Sequence, residues 1–228
     1  MNSPPRSFSD VLPVTLAALA RGGIAASQAK LPPALRAFHR DLLQIFLDAG
    51  IAPTLEQLVS PAAARGLELV RALDDLAEAD LVHADAGARA IRVAYPLSGR
   101  PSPHRVQLVG DRPPLAAMCA VDALGIPLMV HVTATILSGD PTTGEQICIN
   151  ADPDGWRWRP ASTVVLLATE DCGGPIAGAC TSTGFHVSRA HAETYLTEHP
   201  EYTGQILEQE EAIAIASSEF GRLLDSAE

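Results

Sequence analysis

Met118-Cys119-Ala120-Val121-Asp122-Ala123-Leu124-Gly125-Ile126-Pro127 is the stretch around which the chain organises. Pro113-Pro114 ahead of it suits a helix start, and Gly125 with Pro127 suits its end, so the spacing predicts a helix beginning near Leu115. On that helix Cys119 and Asp122 stand at i and i+3, one turn apart on one face. In its early turns the positive end of the helix dipole favours a thiolate at Cys119; the neighbouring carboxylate opposes this, so the two groups can share a proton.

Around this helix the residues alternate between strand and helix character. Val106 to Val109 reads as a short strand, Val130 to Leu137 and Glu145 to Ile149 flank a turn at Ser138 to Gly144, and Ser162 to Ala168 is an apolar run of strand length. Ser188 caps a helix that runs towards Pro200, and Gln205 to Leu224 reads as a further helix with acidic residues outward. Upstream, Pro33 to Ala49 has Leu35, Phe38, Leu42, Leu43, Ile45 and Phe46 at helical spacing, with Gly50 as a stop. Thr54 caps a short helix through Val59, and Ser60-Pro61 opens another to about Ala79. Leu81 to His83 and Ile91 to Tyr95 then flank a turn at Asp85-Ala86-Gly87.

The expected fold is therefore α+β. An arm and short helix (1–32) precede a winged-helix-like helical module (33–97), and Pro96 to Pro103 connects it to a core (98–228) of small, largely antiparallel sheet with flanking helices. The last helix of the module carries Arg65, Glu68, Arg71, Asp74, Asp75 and Glu78, more acid than base, which favours a lid or scaffold over a DNA-reading role.

Charge supports that reading. The net charge is −11; residues 1–110 hold eleven Lys/Arg against ten Asp/Glu, and residues 111–228 hold five against seventeen, a balance that repels nucleic acid. Hydrophobic residues make up 47%, enough for a packed core, while aromatics make up only 4%, leaving Leu, Val, Ile and Ala to fill it. No segment has the length of a membrane span or the pattern of a signal peptide. Cys119, Cys148, Cys172 and Cys180 are too few and too irregular for a disulfide scaffold, so reduced thiols in a cytoplasm are expected.

Cys119 and Cys180 are the candidate soft-metal ligands, and Asp122 the candidate proton carrier. Each has a plainer reading: Cys119 as a small buried hydrophobe among Ala116, Ala117 and Ala120, Asp122 as a solvated acid, Cys180 as a loop thiol without a task. Cys148 reads as a buried strand thiol, and Cys172, beside Asp171 and Gly173-Gly174, as a structural thiol or an aid to metal transfer. His186, His191 and His199 lack a carboxylate pattern such as HExxH and read as structural or solvated. There is no phosphate loop, dinucleotide fingerprint or nucleophile elbow.

Met118 to Pro127, the Tyr95-Pro96-Leu97-Ser98 segment, and Cys180 ahead of Phe185 and Ser188 together resemble the organomercurial (alkylmercury) lyase family. The resemblance implies an enzyme that cleaves a carbon–mercury bond by protonolysis, with Cys119 and Cys180 binding mercury and Asp122 managing the proton. It implies no required cofactor: Hg(II) stays as product until cytosolic small thiols or a mercuric reductase remove it. The alternative is a non-enzymatic thiol sensor or sequestering protein for soft metals. Two departures stand out. The family commonly has a cysteine near Ser138 to Gly144, where this chain has none, and often one after the reactive downstream cysteine, where it has Thr181.

Overall fold

The structure is a computed structural model that describes residues 23–84, 91–152, 154–170 and 182–225. Cys172, Cys180 and the expected turn at Asp85 to Gly87 lie outside the described residues, as does most of the amino-terminal arm.

Four helices open the described chain: α1 (Ile24–Lys30), α2 (Pro33–Ala49), α3 (Leu55–Ala64) and α4 (Leu69–Glu78). The α2 reading holds at both ends, because Pro33 needs no N–H partner at the first turn and Gly50 ends the helix in the left-handed conformation (φ 69°). The α3/α4 boundary differs from expectation. Thr54 accepts from the Gln57 N–H and starts α3, but Pro61 sits inside that helix rather than opening the next. The break falls at residues 65–68, where the Glu68 carboxylate accepts from the Val70 and Arg71 N–H groups and sets the start of α4.

β1 (Val82–Ala84), β2 (Ile91–Ala94) and β3 (Leu97–Ser98) follow as a small antiparallel sheet in that order. Leu97 also bridges Ala117, and the Pro96 carbonyl accepts from Met118 N–H at 3.2 Å. The expected connector is thus built into the structure beside Cys119, with Leu97 fully buried.

The second half contains two further antiparallel sheets. β4 (Arg105–Leu108), β5 (Leu115–Ala116), β6 (Ala134–Gly139), β7 (Gln146–Asp152) and β8 (Gly155–Arg159) form one, in the order β5-β4-β6-β7-β8. β9 (Val164–Glu170) is central in the other, between β10 (Gly184–His186) and β11 (Tyr202–Leu207). The fold is mixed α+β.

The apolar run in β9 is buried on both faces, which removes the usual polar alternation. Val164, Leu166 and Ala168 pack with Ala192 of α6 (Arg189–Glu198), while Val165 and Leu167 join the main core. Gln205 to Leu207, expected as the start of a long helix, belongs instead to β11, which pairs with β9; β-forming Tyr202, Thr203 and Ile206 gain a ladder there. The last helix, α7 (Gln209–Phe220), starts only after Glu208, whose N–H donates to the Glu211 side chain at 2.8 Å.

One contiguous core runs from Phe38, Leu42 and Phe46 through Leu97 and Leu124 to Ile149 and Phe220. Its centre is α5 (Ala120–Val130), packed against α7. Among the described residues, no helix is long and apolar enough to cross a membrane.

Candidate active site

α5 is apolar almost all the way round, with Ala120 to Pro127 all buried. A helix hydrophobic on every side belongs in the middle of a core, so its one acid, Asp122, is carried inside with 2% of its surface exposed. A lone buried carboxylate is costly unless a donor meets it. The Cys119 thiol is one such donor: Sγ donates to Asp122 Oδ2 at 2.8 Å.

The pair forms differently from the expected helical i, i+3 arrangement. Leu115 and Ala116 belong to strand β5, so the helix begins at Ala120 and Cys119 is its extended N-cap (φ −149°, ψ −175°). Asp122 is the third helical residue, and the N-cap and third positions are brought together by ordinary helix-start geometry. Gly125 and Pro127 lie inside the helix rather than ending it, and the true stop is His131 in the left-handed conformation. Buried packing against α7 overrides the local tendency of Gly and Pro to end a helix.

Backbone contacts hold the pair in place. Met118 N–H donates to the Pro96 carbonyl, Ala117 N–H to the His104 carbonyl at 2.9 Å, and Ala120 N–H to the Thr183 carbonyl at 3.4 Å. Residues 182–184 therefore run directly beside the start of α5, with Ser182 Oγ donating to the Ala168 carbonyl at 3.0 Å. Cys180, two residues before Ser182, cannot be placed among the described residues. Cys148 is on β7 as expected, but half-buried rather than buried.

A cavity of about 550 Å³ is lined by residues next to the pair. Met118 and Thr183 form part of its wall, together with Arg92, Arg100, His104 and His186. Burial holds His104 and His186 neutral, with both pKa values pushed down to about 4; nearby Asp140 partly offsets the effect at His186 and His191 adds to it. His104 shares a 2.9 Å hydrogen bond with Ser138 Oγ. Asp140, expected only as a turn residue, is buried and binds widely: it accepts from the N–H groups of Thr142, Thr143 and Val187 at 2.9, 3.0 and 2.9 Å, and contacts His191 Nδ1 at 3.2 Å. Burial pushes its carboxyl pKa up, but these donors outweigh that and leave it below the usual range.

Arg92, Arg100 and His104 were not legible as part of a site in the sequence, and His186 reads there as structural or solvated. His104 and Arg92 belong to no motif, and Asp140-Pro141-Thr142-Thr143-Gly144 reads as a plain turn. His191 and His199 do have the structural or solvated character expected, facing Asp140 and Glu201 respectively. Among the described residues no cluster of three or more His, Cys, Asp or Glu side chains is set to hold a metal ion. Of the residues weighed and disfavoured as a DNA-reading surface, Arg65 is paired with Asp41 at 3.0 Å and Glu68 caps its own helix.

Comparison with known proteins shows the family. The profile of the alkylmercury lyase family, MerB, matches residues 97–221. An alkylmercury lyase of Bacillus cereus is 30% identical over 187 residues, which cover 81% of this chain and 79% of that one. An alkylmercury lyase of Staphylococcus epidermidis is 32% identical over 111 residues, covering 48% of this chain and 50% of that one. The crystal structure of the mercury-bound form of MerB2 superposes with a TM-score of 0.71 at 25% identity, covering 89% of this chain and 97% of that one. The match spans the thiol, the acid and the sheets that hold them, and the chain belongs to the alkylmercury lyase family.

Proposed function

We propose that this chain cleaves the carbon–mercury bond of organomercurials by protonolysis, with Cys119 and Cys180 taking the mercury and Asp122 carrying the proton. The observation behind this reading is the buried 2.8 Å contact from Cys119 Sγ to Asp122 Oδ2. Mercury is soft and prefers sulfur to oxygen. As the Cys119 sulfur bonds to mercury, its proton passes to Asp122, and the thiolate that delivered the organomercurial departs. A second sulfur, Cys180, then bonds to mercury, its thiol proton leaving with the departing thiolate as free thiol, and so raises electron density on mercury and weakens its bond to carbon. Asp122 then returns the proton to carbon, the hydrocarbon leaves, and Hg(II) stays on the two sulfurs.

Cys180 suits this role by chain length. It is three residues from Thr183, whose carbonyl accepts from the residue after Cys119, and three residues span at most about 10 Å. Mercury is substrate and product in this scheme and no other metal takes part. Release to small thiols or a mercuric reductase is by exchange, which fits a reducing cytoplasm. Residues 33–97 serve as a scaffold or lid for a catalytic core at 98–228.

The test is to incubate the purified chain with an organomercurial and excess thiol and to measure hydrocarbon by gas chromatography. Turnover supports the lyase reading; stoichiometric mercury binding without hydrocarbon identifies a sequestering or sensing protein instead.

A further inference from the structure

We propose that the cavity beside Cys119 is a carboxylate-binding subsite. It takes an anionic group carried on one of mercury's two ligands, either the organic group to be released or the thiolate that delivered it. This rests on the lyase reading above.

Size is the first reason. At about 550 Å³ the cavity holds far more than a mercury atom and a methyl group, and it lies within the range of small-molecule sites, roughly 300–1,000 Å³. Something larger than the reacting bond fits there, and two wall residues tie the cavity to the thiol: Met118 precedes Cys119, and the Thr183 carbonyl accepts from Ala120 N–H.

Charge is the second. The chain carries −11 overall, yet Arg92 and Arg100 both line this cavity. Among the described lining residues the one carboxylate is Asp140, whose two oxygens already meet Thr142, Thr143, Val187 and His191. Two guanidiniums disfavour a cation, and their planar donors match the geometry of a carboxylate.

The third is His186. Its ring is 1% exposed and lines the cavity, and neither ring nitrogen has a hydrogen-bond partner among the described residues. Among the described residues it faces the Tyr195 ring, edge-on at 5.3 Å, Asp140 at 4.0 Å and His191. A buried imidazole without a partner is costly, and a carboxylate oxygen accepting its N–H removes that cost. The carboxylate is the ordinary anionic group of small organic thiols and of substituted arylmercurials.

The test uses the full chain and four reaction mixtures: phenylmercury or ring-carboxylated phenylmercury, each with mercaptoethanol or mercaptoacetate in excess. The readout is kcat/KM for hydrocarbon release. A carboxylate on one of the two ligands raises kcat/KM roughly five-fold, through KM, and the ligand that does so identifies the source. In Arg92→Gln and Arg100→Gln the carboxylate-to-neutral ratio falls towards one, and Arg92→Lys restores part of it. Each ratio is taken within one variant, so loss of folded protein cancels. A ratio of one in the wild type, or a preference that survives both glutamine variants, overturns the subsite. Absence of hydrocarbon from the wholly uncharged mixture overturns the lyase reading instead.

Discussion

The ring of Phe220 fills the space that a side chain on Gly125 needs: a Cβ there would lie 2.2 Å from Phe220 Cδ2 and 2.7 Å from Cγ. The bare Cα of Gly125 lets α5 and α7 approach closely, and Asp122 sits one turn before it. Gly125→Ala forces the buried ring aside and costs about 1–3 kcal/mol. Urea denaturation reads this as a lower midpoint at unchanged slope. An unchanged midpoint would show that the helices separate freely.

Asp122→Asn keeps the shape of the acid but cannot accept and return a proton. Hydrocarbon release falls by about 10²–10⁴-fold while mercury binding by Cys119 persists. Binding is read by mercury stoichiometry after gel filtration, release by gas chromatography. Equal loss of both would assign Asp122 to structure rather than proton transfer.

Three buried histidines set the acid limit of the fold. His39 is held down to about 3 by burial and by Arg40, and His104 and His186 to about 4, chiefly by burial. The unfolded chain binds their protons near pH 6.5, before the folded chain does, so stability falls as pH drops from about 6.5 towards 4. Each contributes up to about 1.4 kcal/mol per pH unit in that window. His39→Gln flattens the slope of unfolding free energy against pH; an unaltered slope would show that His39 is not titrating.

Asp140 acts at lower pH. Its carboxyl is depressed in the fold, so its stabilising contribution is complete above the ordinary carboxylate range and disappears as pH falls through the folded value. Asp140→Asn turns an NH₂ towards donors that need an acceptor and costs about 1–3 kcal/mol at neutral pH. Thermal melts of the two proteins converge on acidification. A gap that stays constant with pH would mean that packing rather than charge is lost.

Glu219 has the opposite sign. Burial raises its carboxyl pKa, although it accepts from the Ile24 and Ala25 N–H groups at the start of α1. Its contribution is present at low pH and declines as pH rises through the folded value. Glu219→Gln keeps an acceptor without the charge, so it is more stable than wild type at neutral pH and loses that advantage on acidification. Paired melts at two pH values decide this.

Local chemistry was legible wherever one residue's conformational preference decides the outcome. Pro33 and Gly50 bound α2, Thr54 caps α3, and Ser188 caps α6, with its side chain accepting from His191 N–H. Pairing and burial were less so. Tyr202 to Leu207 extends as a strand because β9 offers it a ladder, and β10 has only three residues with which to announce itself.

The order of residues by itself determined that a thiol and an acid three positions apart meet, since any helix starting there joins them, and it determined the mixed α+β composition. Only the tertiary structure decided where that helix begins, that the acid is buried with the thiol as a donor, and that Arg92, Arg100, His104 and His186 share one cavity. Helix starts follow from neighbours along the chain. A cavity wall is drawn from β2, the segment after β3, and β10, which lie far apart in sequence and meet only when the core closes.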